Sequence, residues 1–113
     1  MNLLTKAITG KLPAHGSTDG QGDQAIAQVK LFTPWAGWTW YGIEYDPERE
    51  EMYGLTVSPY EQELGTFSLA ELRAIKGPFF LKIERDIYFT PKTIGECRKR
   101  HEIEGDGIVR RGA

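Results

Sequence analysis

The chain has 113 residues, 40% of them hydrophobic and 27% charged, with a formal net charge of −2. That is enough apolar material for one core and too little length for two. The small negative charge counts against a protein held to nucleic acid by charge alone. No run approaches the roughly 20 apolar residues that span a bilayer, so no membrane partner is expected. Cys97 is the only cysteine, which excludes an internal disulfide and suits a reducing compartment. The opening residues, Met1 to Lys6, meet polar side chains too soon for a secretory h-region, so a bacterial-type cytoplasm is the expected location. With only His15 and His101 beside Cys97, no metal-ligand spacing can be drawn, and neither metal nor cofactor is expected.

In chain order, a first short helix is expected from Thr5, as cap, to about Leu12, with Pro13 as its stop. Ala14 to Gln24 is rich in Gly, Ser and Asp, offers nothing to bury, and reads as a mobile loop over 14–24. Ala25 to Thr33 reads as a strand, with Ala27, Val29 and Leu31 on one face and Gln28 and Lys30 on the other. Trp38 to Tyr45 is the most aromatic segment. Period-two counting sets Trp38 and Trp40 against Tyr41, Ile43 and Tyr45, and apolar residues on both sides mark a central strand. Asp46 to Glu50 turns the chain into a third strand, Met52 to Val57, and Ser58 to Glu61 turns it into a fourth, Leu64 to Phe67.

Ser68-Leu69-Ala70-Glu71 is a capping box that opens a helix to about Lys76, burying Leu69, Leu72 and Ile75. Gly77 and Pro78 end it. Phe79 to Ile83 and Asp86 to Thr90 read as extended, with Leu81, Ile83, Ile87 and Phe89 inward. Thr93 and Glu96 offer a second capping box for a marginal helix to about Glu102, whose polar face outweighs its apolar one. These elements predict an α+β domain over 1–103: a four- or five-stranded, mainly antiparallel sheet, one main helix packed on it, and short terminal helices. Residues 104–113 read as a frayed tail.

Charge is uneven along the chain. Tyr41 to Glu63 holds seven acids and one base, and Arg73 to Arg100 holds eight bases and three acids. Blocks of this kind either orient a charged partner or merge in space, and merging is the expectation here.

All three tryptophans fall within the six positions Trp35 to Trp40. An exposed indole in a Pro/Gly-flanked turn can stack on a partner, which makes Trp35, Trp38, Trp40 and Tyr41 candidate binding residues. Glu84, Arg85 and Asp86 are the second candidate binding group, since alternating carboxylates beside an arginine could form a metal-dependent or acid–base site. Ordinary ion pairing on a strand explains the same residues. Cys97 and His101, four apart on a helix, lack a third orienting group, so no catalytic residue is named. The Arg98-Lys99-Arg100 run with Arg110 and Arg111 makes a modest basic end, diluted by Glu102, Glu104 and Asp106.

Four segments carry a resemblance: Leu3-Leu4-Thr5, Phe32 to Tyr41, Glu63 to Leu72, and Leu81 to Pro91. In order and spacing they resemble a bacterial family known as domain of unknown function 2958, although Ala36 stands where that family usually has a second glycine. The resemblance implies a small bacterial protein, often encoded on mobile elements, with no assigned activity and no established catalytic residue. The expected function is a non-enzymatic module that binds a protein through its aromatic surface. The alternatives are a nucleic-acid-binding accessory protein and a small metal-dependent enzyme.

Overall fold

The computed structural model describes residues 2–102 of the chain. A short helix α1 (Lys6–Thr9) comes first, and β1 (Ile26–Ala27) follows the long loop. Next come β2 (Val29–Phe32), β3 (Thr39–Asp46), β4 (Glu51–Val57), β5 (Gln62–Ser68), helix α2 (Leu69–Ala74), β6 (Glu84–Arg85) and β7 (Lys92–Thr93). Residues 94–102 form a helix, α3. Five strands make one antiparallel sheet in the order β5-β4-β3-β2-β6, and β1 pairs with β7 in a separate ribbon. The predicted α+β architecture with its antiparallel meander is therefore the observed one. The expected tail over 104–113, with Arg110 and Arg111, lies outside the described residues.

Local chemistry sets the turns. Asp46 Oδ1 accepts from the N–H groups of Glu48 and Arg49, and Ser58 Oγ accepts from those of Tyr60 and Glu61. Both are side-chain mimics of a backbone turn. Ser68 Oγ accepts from the Glu71 N–H and caps α2. At α3 the box is reciprocal: Thr93 Oγ1 accepts from the Glu96 N–H, and Glu96 Oε1 accepts from the Thr93 N–H.

Both faces of the sheet are covered. On one, Val29, Leu31, Trp40 and Met52 pack under Leu3, Leu69, Leu72 and Ile83. On the other, Tyr41, Ile43, Leu55 and Val57 pack under Ala25, Ala27, Ile94 and Cys97. Gly54 belongs to the close approach of β4 to β3, since a Cβ there would lie 1.8 Å from the Tyr41 carbonyl oxygen.

Several sequence expectations change. β3 and β4 slip register between Gly42 and Glu44, so a β-bulge turns Tyr45 to the Trp40 face rather than the Tyr41 face. The first strand breaks at Gln28: Ala27 joins the second core, while Val29 and Leu31 join the first. α2 stops at Ala74, which leaves Ile75 exposed, and Leu81 and Ile87 are exposed where inward positions were expected. Asp86 to Phe89 is a turn, closed by the Phe89 N–H on the Asp86 carbonyl, not a strand. α3 is no marginal element, because Ile94 and Cys97 are fully buried in the second core. Burying a side chain such as Ile94 contributes about 1.5–3 kcal/mol.

The 14–24 segment was expected to bury nothing, yet Thr18 is buried. The reason is Glu44, a carboxylate 2% exposed beside the bulge. It accepts from the Gly16 N–H at 2.6 Å, from the Thr18 N–H at 2.9 Å and from the Thr18 hydroxyl. Burial pushes the Glu44 carboxyl up, but the Thr18 hydroxyl, the Gly16 and Thr18 amides and nearby His15 together hold it below the usual glutamate range.

Candidate functional site

The seven residues singled out from the sequence are scattered. Trp40 and Tyr41 are buried on opposite faces of the sheet. Trp35, whose exposure the sequence left open, is half-buried against the first core. The exposed tryptophan is Trp38, 41% accessible and stacked on Trp40 with ring centroids 5.9 Å apart. Arg85 works as a clamp, donating to the Asn2 and Leu3 carbonyls. Glu84 and Asp86 line different grooves.

Trp38 and Asp86 line one shallow groove of about 400 Å³, together with Lys30, Phe32 and His101. Lys30 Nζ lies 3.7 Å from Asp86 Oδ2 and 5.9 Å from the Tyr41 ring centroid. Tyr41 Oη and His101 Nε2 are 2.6 Å apart. Asp86 also holds its own turn, accepting from the Tyr88 N–H. Lys30 and Asp86 thus pair with each other, and His101 with Tyr41. Among the described residues, no three His, Cys, Asp or Glu side chains are placed to hold a metal ion.

The remaining chemical candidates are also engaged. Burial raises the Cys97 thiol to about 11, so it is neutral near pH 7. Arg98 donates to Asp23 Oδ1 at 3.0 Å and to Gln62 Oε1 at 3.5 Å, which ties the start of the basic run to the fold. Arg73 pairs with Glu50, so the acidic and basic blocks partly merge there.

Sequence reasoning missed the most exposed aromatic pair. Phe79 and Phe80 are 92% and 94% accessible and stand at the tip of the loop that follows α2. Both have left-handed backbone, with φ of 56° and 62°. An L-residue in that region costs about 1–2 kcal/mol. The base of the loop is well built. The Gly77 N–H donates to the Leu81 carbonyl at 2.7 Å, and Lys76 and Lys82 face each other across an antiparallel bridge. Gly77 also lies on Trp35, where a Cβ would come within 2.4 to 2.6 Å of three indole carbons. Trp35 therefore forms part of the base on which the aromatic loop stands. Beside Phe80 runs a groove of about 460 Å³, lined by buried Leu3, Leu72 and Ile83 and by Leu81, Arg73, Lys82 and Glu84. The available signal was Gly77-Pro78, which ends a helix and makes a turn more natural than a strand at the next two residues.

An antiparallel sheet covered on both faces, carrying a projecting aromatic loop beside an apolar groove, defines a small α+β protein. The chain belongs to the family described as protein of unknown function (DUF2958), whose model matches residues 3–96. No curated protein and no solved structure matches it. No helix among the described residues is long and apolar enough to cross a membrane.

Proposed function

We propose that this protein is a non-enzymatic interaction module of the bacterial cytoplasm, and that the Phe79–Phe80 loop docks a protein partner. The observation that carries this reading is the exposure of two consecutive phenylalanines above 90%, both in left-handed backbone. Strain of this kind persists where the surrounding structure enforces it and concentrates at functional segments. Here Gly77 on Trp35 and the Lys76–Lys82 bridge enforce it, while the rings themselves gain almost no packing among the described residues. Exposed Ile75 and Leu81 extend the apolar surface at the foot of the loop. Partner contact would recover the burial that the fold forgoes.

The test is affinity capture from the native host with the wild-type chain and a Phe79→Asn/Phe80→Asn variant, followed by calorimetry with the purified candidate. A buried aromatic anchor is worth about 2 kcal/mol or more, so even if only one of the two rings is such an anchor the double variant should bind at least about thirtyfold more weakly. Capture of the same protein at equal affinity by both chains would remove this surface from the function.

A further inference from the structure

The chemistry around the loop narrows the kind of partner. Lys76 and Lys82 are Cα partners across the bridge at the base of the loop, so their side chains leave the same side of the backbone. Like charges directly opposite each other oppose folding. Among the described residues neither lysine makes an ion pair, whereas neighbouring Arg73 is already paired with Glu50. A positive pair without an ion-pair partner among the described residues therefore stands at the base of the apolar tip, and Lys82 of that pair lines the groove beside Phe80.

Resting on the interaction reading above, we propose that the partner presents an acidic–apolar protein segment. Its aliphatic or aromatic side chains fill the groove over Leu72 and Ile83, and its Asp or Glu carboxylates meet Lys76 and Lys82. The concavity argues for discrete side chains over a lipid surface, which has none to insert. The Leu and Ile lining argues for aliphatic groups over stacked bases. Glu84 lines the same groove, so the acidic residues belong at the lysine end of the bound segment. The apolar insertion supplies affinity, and the carboxylates supply orientation.

A random-peptide display library panned against the full chain tests this, with anionic vesicles and a single-stranded DNA oligonucleotide as parallel probes. The expected result is enrichment of peptides that place Asp or Glu beside Leu, Ile, Phe or Trp. A synthetic version should perturb the NMR signals of Leu72, Phe80 and Lys82, and should weaken as salt rises from about 0.05 to about 0.5 M. Two exposed ion pairs set the scale for Lys76→Met/Lys82→Met, a loss of about two- to thirtyfold in affinity. Enrichment of basic or uncharged peptides, perturbation elsewhere on the chain, or no change in that double variant would overturn the proposal. So would binding of the vesicles or the DNA in place of peptides, or self-association of the chain through Phe79 and Phe80. The two readings separate cleanly. A partner lost with the phenylalanines but indifferent to the lysines leaves the docking loop standing and removes only its acidic chemistry.

Discussion

Replacing Glu44 by Gln tests how the long loop is attached to the sheet. The carboxylate is 2% exposed and accepts three hydrogen bonds, from the Gly16 amide, the Thr18 amide and the Thr18 hydroxyl. A carboxamide keeps one acceptor oxygen and turns an NH₂ group toward at least one of those donors, leaving the donors to face each other. Hydrogen bonds to a charged group contribute about 1.5–3 kcal/mol each, and an orphaned buried donor costs a similar amount. With part of the set retained, the expected loss is about 2–4 kcal/mol, or roughly 8–16 °C in Tm for a domain of this size. Urea and thermal melts at pH 7 measure it. The folded-state carboxyl sits below its ordinary value, so its contribution is complete above about pH 4.3 and fades as the pH falls through the folded value. The gap between wild type and Glu44→Gln should therefore narrow from pH 7 toward pH 3. Slow amide exchange at Gly16 and Thr18 in the wild type, accelerated in the variant, would place the effect at the loop. Equal stability at pH 7, or a gap that does not change with pH, would refute the reasoning.

Three further outcomes follow from the packing. Gly54→Ala sets a Cβ 1.8 Å from the Tyr41 carbonyl oxygen, a backbone atom that can move only by parting β3 from β4; denaturant melts should show a loss of about 3 kcal/mol. Phe79→Asn/Phe80→Asn removes exposed rings and eases left-handed backbone, so it should raise stability by about 1 kcal/mol, and a destabilised variant would mean that the rings pack within the chain. Cys97 is buried and its thiol is raised to about 11, so an aromatic disulfide reagent at pH 8 should label it only in urea; rapid labelling of the native chain would contradict its place in the second core.

Much of the architecture is written in short-range chemistry. The turns at Asp46 and Ser58 and the caps at Ser68 and Thr93 are local hydrogen-bond motifs, legible because donor and acceptor sit within three residues. The aromatic density of Trp38 to Tyr45 identified a strand covered on both sides for the same reason, since period-two burial is a local pattern. The family resemblance rested on such segments and covers the same core, residues 3–96.

What only the tertiary structure decided depends on contacts between distant residues. The bulge that moves Tyr45 to the other face, and the break at Gln28 that sends Ala27 to β7, arise from how the sheet closes on its neighbours. The Glu44 carboxylate reaches back 26 and 28 residues to Thr18 and Gly16, so the polar loop showed no sign of its anchor. The candidate site was the least legible part. An indole among Pro and Gly leaves its exposure open in sequence; the missing Cβ of Gly77, 42 positions away, lets the loop base seat on Trp35 and half-bury it. Phe79 and Phe80 read as the start of an extended segment in sequence, because left-handed backbone is improbable for a phenylalanine. Here Gly77, Pro78 and the Lys76–Lys82 bridge hold the chain in a tight reversal whose tip has no neighbour within the described fold. Local pattern sets which residues can be buried, and the packing of the whole chain decides which of them are.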